Sequence, residues 1–198
     1  IDTQGNQLPY ISEQDEVYKN DNEIRILTLV NGEADYKSQS LQLSSAPMLL
    51  EGQEKGDYTI YLKPEITLSN LSFNVTHQDL DKRKVFADLR FRKAMSVAIN
   101  RQEINEVALF GLGTPKQYTG FSPMPDFIDK KWESYMIQYD PGMAKSLLDQ
   151  LGMKDRDGDG SRELPSGKKL VVNMQFATQG IDPQIVEMVG QNWAEVGI

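Results

Sequence analysis

The chain contains no cysteine and a single histidine, His77. The absence of thiols excludes disulfides, thiolate nucleophiles and zinc–thiolate centres together. One isolated imidazole leaves the usual nucleophile–base pairs without a base. No Gly-x-Ser-x-Gly elbow, phosphate loop or dinucleotide fingerprint occurs. Long apolar runs are also missing, so no segment has the length needed to span a bilayer. Positive charge is scarce: 21 Lys and Arg stand against 29 Asp and Glu, a net charge of -8. That balance argues against nucleic acid as a partner, because phosphate recognition needs a basic face. What remains is 198 residues, 39% hydrophobic and 25% charged, a composition suited to a folded globular chain of one large domain or parts of two.

The order of elements follows from caps and periodicity. Asn20, with Glu23 three residues on, starts a helix with the stripe Ile24, Leu27 and Val30, and Asn31-Gly32 stops it. Pro47 sits in the first turn of a short second helix carrying Met48, Leu49 and Leu50. Alternation predicts strands over 57–62, 68–75 and 170–176, and the polar stretch 76–84 reads as a loop. Asp88 caps a helix whose apolar face is Phe91, Ala94, Met95 and Ala98. Asn100 and Arg101 bend it, and Ile104, Val107 and Ala108 continue before Gly111 and Gly113 end it. Asp140-Pro141 and Asp182-Pro183 each combine an N-cap with a proline at the first helical position. Strands alternating with helices favour an α/β layered architecture.

Two stretches carry candidate chemistry. Asp155-Arg156-Asp157-Gly158-Asp159-Gly160 places carboxylates at alternate positions before a glycine, as in the first half of a calcium loop. Glu163, at the ninth position, supplies a further oxygen, but the twelfth position, where such a loop needs a bidentate Glu, is Ser166. The candidate ligands are Asp155, Asp157, Asp159 and Glu163, for a structural calcium rather than a catalytic one; a solvated hairpin tip explains the same residues, since Asp and Gly favour turns. No cofactor is required. The segment 116–139 lacks a period yet holds Tyr118, Phe121, Phe127, Trp132, Tyr135 and Tyr139, and aromatic faces stack on sugars and peptide side chains. The basic residues Lys82, Arg83, Lys84, Arg90, Arg92 and Lys93 are expected to pair with Asp81, Asp88 and Glu103.

The order of motifs is more specific than any one of them. Gln7-Leu8-Pro9-Tyr10, Asn31-Gly32-Glu33-Ala34-Asp35 and Ser72-Phe73-Asn74 precede Phe86-Ala87-Asp88-Leu89-Arg90-Phe91-Arg92-Lys93-Ala94 and Ala98-Ile99-Asn100-Arg101. Gly111-Leu112-Gly113-Thr114-Pro115, Tyr139-Asp140-Pro141, Asp157-Gly158-Asp159-Gly160 and the last helix with Trp193 follow. In this order the chain resembles the family 5 extracellular solute-binding proteins of ABC importers. The resemblance implies a periplasmic-binding-protein-like type II lobe, a mixed sheet flanked by helices, here truncated at both ends. Residues 1–56 would be the end of a first-lobe segment and crossover, and residues 57–198 a second lobe incomplete at its C-terminal end.

By the same resemblance the function is capture of a peptide or oligosaccharide between two lobes, without catalysis, and delivery to a membrane permease. The protein would be a monomer at the extracellular face of the membrane or in the periplasm, lipid-anchored when complete. Phe73, Asn74, Tyr118, Phe121 and Trp132 are the candidate cleft-facing residues. A calcium-stabilised interaction module and, less favoured, a hydrolase acting on glycans through two carboxylates are the alternatives from other classes.

Overall fold

The computed structural model describes residues 1–39, 41–63, 70–117, 124–177 and 181–198. They fall into two compact units, Ile1–Leu62 and Lys63–Ile198.

The first unit is built on helix α1, Asn22–Val30, whose N-cap is Asp21 rather than the expected Asn20; the Asp21 carboxylate accepts the Ile24 N–H at 3.0 Å. A short 3-10 turn leads into α2, Ala46–Glu51, and α3, Gln53–Gly56. Ile26, Leu29 and Leu49 form a small core, with Val30, Ala34, Tyr58 and Ile60 packed against it. The Tyr58 ring crosses Gly56 so closely that a Cβ there would lie 2.5 Å from the ring. Its hydroxyl donates to the Leu49 carbonyl at 2.6 Å. Glycine is therefore required at position 56 by close approach.

The second unit holds the main core. Helix α4, Leu80–Ala87, is followed by α5, Leu89–Val97, α6, Arg101–Ala108, α7, Pro141–Gln150, and α8, Pro183–Ala194. The expected loop over 76–84 is thus half helix. Its N-cap is Asp79, which accepts N–H groups from Asp81 and Lys82, and periodicity missed it because only Val85 and Phe86 of its residues are buried. Asp88, Asn100, Asp140 and Asp182 each accept a backbone N–H from the helix they precede. Phe91, Ala94, Met95, Val97 and Ala98 pack with Ala144 and Leu148 as α5 lies against α7. Val189, Trp193 and Val196 bring α8 into the same cluster.

Two bonds fix α8 to the α5–α6 junction. Trp193 donates its buried indole N–H to the Met95 carbonyl at 3.1 Å. The Asn192 side-chain oxygen accepts the Asn100 N–H at 2.9 Å. Phe73 adds a ring that meets Phe91 edge-on at 5.1 Å, Phe86 at 5.6 Å and Trp193 in a stack at 5.7 Å.

The expected mixed sheet is not formed by the described residues. Only two isolated antiparallel bridges occur there, Lys154 with Glu163 and Glu163 with Lys169. The alternation behind the expectation is nevertheless present: Leu170 is buried and Val172 and Met174 pack on the core, while Val171, Asn173 and Gln175 face outward. Tyr58 and Ile60 likewise turn inward around exposed Thr59, although Leu62 is exposed. Alternation reports an extended segment with one buried side; a ladder needs a second segment alongside it, which the side-chain pattern does not encode. Of the expected strand over 68–75, residues 68 and 69 lie outside the described residues.

The basic cluster also resolves differently from expectation. Arg90 pairs with Asp88 at 2.7 Å, but Arg92 donates to the Phe86 and Ala87 carbonyls and Arg83 to that of His77. Asp81 pairs instead with Lys168 at 2.8 Å, and Glu103 accepts from Asn100.

Replacing Trp193 by Phe keeps the ring and strands the Met95 carbonyl. A loss of about 1–2 kcal/mol in urea unfolding is expected, and a value indistinguishable from wild type would show that the bond does not matter. Arg90 beside Asp88, and Lys168 beside Asp81, hold both carboxyls below their ordinary value of 3.8. Depressed folded values mean that their stabilisation is present above the unfolded value and lost as pH falls through the folded one. The melting temperature should therefore decline as pH drops below about 3.8, with a shallower decline in Asp88→Asn; identical profiles would rule Asp88 out.

Candidate functional site

Two surfaces of the second unit carry the candidate residues. The first is the aromatic segment that follows α6. The α5–α6 junction fastens it: Ser96 Oγ donates to the Met136 carbonyl at 2.7 Å, and Arg101 reaches the Ile137 carbonyl at 3.4 Å and the Ser96 carbonyl at 2.7 Å. Burial pushes the Arg101 guanidinium below its ordinary value. Met136 itself takes a left-handed φ of 55°, a conformation uncommon for a residue with a side chain. Backbone pairing of Gln117 N–H with the Glu133 carbonyl at 2.7 Å, and the Lys116–Glu133 ion pair at 2.9 Å, close the segment on itself.

Trp132 ends a 3-10 turn, Lys130–Trp132, and remains 48% exposed. Tyr135 meets it edge-on at 5.5 Å. Lys131 lies over the indole at 5.2 Å and Lys93 over the Tyr135 ring at 5.7 Å. The result is a small aromatic step on the surface with two ammonium groups at its margins, a geometry suited to stacking and to ligand oxygens. Tyr118 and Phe121 lie outside the described residues.

Phe73 and Asn74 have other partners. Phe73 is partly buried among Phe86, Phe91 and Trp193, so its ring serves the core. Asn74 is exposed and closes a local turn, its side-chain oxygen accepting the Thr76 N–H and hydroxyl at 3.0 Å each. His77, the lone imidazole, accepts the Asp79 N–H on Nδ1 at 3.0 Å and stands edge-on to Phe86.

The second surface is the acidic loop between α7 and the extended segment 170–176. Oxygens of Asp155, Asp157, Asp159 and Glu163 lie within 4.8 Å of one another; the three aspartates are exposed and Glu163 is buried. Gly158 and Gly160 take φ of 80° and 88°, which lets the chain turn sharply at both. The loop is also closed by its own groups. Asp155 accepts the N–H groups of Gly158 and Gly160, at 2.7 and 2.9 Å. Asp159 accepts the Ser161 N–H and pairs with Lys169 at 2.6 Å, which holds its carboxyl below the ordinary range. Glu163 accepts the Arg156 N–H at 2.9 Å. The donor set fits a hard cation in oxygen type and spacing, and Lys169 occupies part of the charge that a cation would take.

Sequence reasoning did not single out Arg162, which anchors this loop. Its N–H donates to the Gly197 carbonyl at 2.7 Å, Nε to that of Val196 at 2.8 Å, and Nη1 to Asp149 at 2.6 Å and the Met153 carbonyl at 2.7 Å. These contacts join positions far apart in the chain, so no local pattern could have marked them.

Comparison with known proteins gives one answer throughout. Residues 5–198 match the family described as bacterial extracellular solute-binding proteins, family 5 Middle. The glutathione-binding protein GsiB of Pectobacterium atrosepticum is 30% identical over 183 residues, covering 89% of this chain and 33% of that protein. The periplasmic alpha-galactoside-binding protein of Rhizobium meliloti is 29% identical over 210 residues, covering 96% of this chain and 29% of that protein. Among solved structures, the oligopeptide-binding protein OppA superimposes with a TM-score of 0.68 at 32% identity, over 91% of this chain and 29% of its own. A periplasmic oligopeptide-binding protein from Thermotoga maritima, solved with mannohexaose bound, does so with a TM-score of 0.64 at 26% identity, over 89% of this chain and 33% of its own. The chain thus spans about a third of the length of these relatives. Each of these relatives is named as a binding protein, and among the described residues no helix is long and apolar enough to cross a membrane. The unbroken family match, together with backbone agreement over nine-tenths of the chain, makes the assignment plain: this chain belongs to the bacterial extracellular solute-binding proteins of family 5.

Proposed function

We propose that this chain is part of the substrate-binding component of an ABC importer. In this reading the protein captures a peptide or an oligosaccharide between two lobes outside the cytoplasm and presents it to a membrane permease, without chemical change. The family match over residues 5–198 is the observation that carries it. Relatives named for glutathione, oligopeptide and alpha-galactoside binding, and one solved with mannohexaose, support the breadth of solute class. Residues 1–56 belong to a first-lobe segment and residues 57–198 to the second lobe. The complete protein is held at the membrane by a lipid anchor.

The aromatic step supplies the solute contact on this lobe. Trp132 and Tyr135 present ring surface, and Tyr118 and Phe121 belong to the same stretch of chain. Asn74 offers a polar side chain, while Phe73 acts through the core beneath. Lobe closure would trap the solute, and only the closed form would be read by the permease. The acidic loop contributes a structural calcium held by Asp155, Asp157, Asp159 and Glu163. Its role is to tie the loop, and through Arg162 the end of α8, into one arrangement.

Calorimetry against a panel of short peptides and oligosaccharides tests the transport reading. One solute class should bind unchanged, and Trp132→Ala should weaken it about tenfold, equivalent to about 1.4 kcal/mol, with little change in melting temperature. Turnover of a glycan instead of binding would favour the carboxylate hydrolase. For the loop, millimolar calcium should raise the melting temperature relative to chelator, since a cation bound only by the folded state adds about 2.7 kcal/mol at a hundredfold excess over Kd. Asp157→Asn should abolish the rise and Lys169→Ala should enlarge it. The same melting temperature with calcium and with chelator would remove the metal from the account.

A further inference from the structure

Three side chains in succession accept backbone N–H groups on the way into α4. Asn74 takes that of Thr76 at 3.0 Å, His77 takes that of Asp79 on Nδ1 at 3.0 Å, and Asp79 takes those of Asp81 and Lys82 at 2.8 and 3.2 Å. The middle link differs in kind from the other two. An imidazole accepts only through an unprotonated ring nitrogen, so the Asp79 bond requires the neutral ring with its proton on Nε2. His77 is held on its other sides as well. Its N–H donates to the Asn74 carbonyl at 3.2 Å, Arg83 Nε donates to its carbonyl at 2.7 Å, and its ring stands edge-on to Phe86 at 6.0 Å. Helix α4 in turn carries Val85 and Phe86 into the core and sends Lys82 to the Val171 carbonyl.

We propose that His77 is a proton-operated latch on the start of α4, closed at neutral pH and released in mild acid. An imidazole takes up its second proton at about pH 6.5. With Nδ1 protonated, the ring and the Asp79 N–H present two donors to each other, so the bond is lost and the Asp79 cap is freed to move. The surrounding charges do not restore it. The carboxylates of Asp79 and Asp81 already have partners, backbone N–H groups for the first and Lys168 for the second. Lys82, Arg83 and Lys84 on α4, and Lys168 facing it, oppose a further positive charge. The neutral ring is the stabilising form, so its contribution is present in neutral solution and lost as pH falls. His77 is the one histidine of the chain, and Asp79 and Asp81 are held below 3.8, so both stay ionised through this range. The latch is independent of solute binding and of the acidic loop.

The experiment is nitrogen NMR of the imidazole with amide exchange of the whole chain at about pH 7.5 and about pH 5.5, corrected for the intrinsic effect of pH on exchange. At the higher pH the ring should be neutral with its proton on Nε2. At the lower pH the protection of the Asp79, Asp81 and Lys82 amides should fall about fivefold. The Met143 and Ala144 amides, held by Asp140 at the start of α7, are the internal control and should not change. His77→Asn sets an oxygen where Nδ1 stands and should keep the α4 amides protected at both pH values. His77→Phe has no acceptor and should show in neutral solution the exchange that the wild type shows in acid. Wild-type α4 amides equally protected at both pH values overturn the proposal, as does a neutral ring with its proton on Nδ1. So does an acid-induced loss that persists in His77→Asn, because the titrating group would then lie elsewhere.

Discussion

The second unit depends on the seating of Trp193. Its ring stacks on Phe73, its indole N–H reaches the Met95 carbonyl, and Asn192 beside it takes the Asn100 N–H. One turn of α8 thereby holds the end of α5 and the start of α6. That junction is also the anchor of the aromatic segment, through Ser96 and Arg101. A buried polar bond has large consequences when its loss leaves a carbonyl unpaired in an apolar setting. Here the carbonyl sits beneath the very elements that position the candidate binding surface.

The acidic loop shows the same economy by another route. Its carboxylates are satisfied mainly by N–H groups within the loop, and Arg162 passes its position on to α7 and α8. A Cβ on Gly197 would lie 2.9 Å from the Arg162 side chain, so the close packing of that arginine limits what can follow α8. A cation in the loop would act on a structure already closed, and would contribute mainly by setting which closed arrangement is kept.

How much of this was legible in the sequence depends on the range of the interaction. Asp88, Asp140 and Asp182 were readable as caps because a cap is fixed by three or four neighbouring residues. The core face Phe91, Ala94, Met95 and Ala98 was readable because helical spacing alone places it. Helix α4 was not, since its exposed face dominates its composition and its main signal, the Asp79 cap, lay in a stretch that looked like loop. For the candidate site, the acidic cluster was legible as spacing, and Trp132 as an aromatic in an irregular stretch. Phe73 looked like a surface aromatic at a strand end, and its core role came from rings of residues distant in the chain.

By itself the sequence determined the helix starts, the apolar stripes, the carboxylate spacing of the acidic loop and, through the order of its motifs, the family. Each is a local property or a pattern of local properties. Tertiary structure alone decided that Arg162 would lock the loop to α8, that Lys82 would reach the Val171 carbonyl, and that the basic cluster would mostly cap carbonyls rather than pair with acids. The first two join residues 34 and 89 positions apart. Which acceptor a long cationic side chain meets is set by packing, not by its neighbours along the chain.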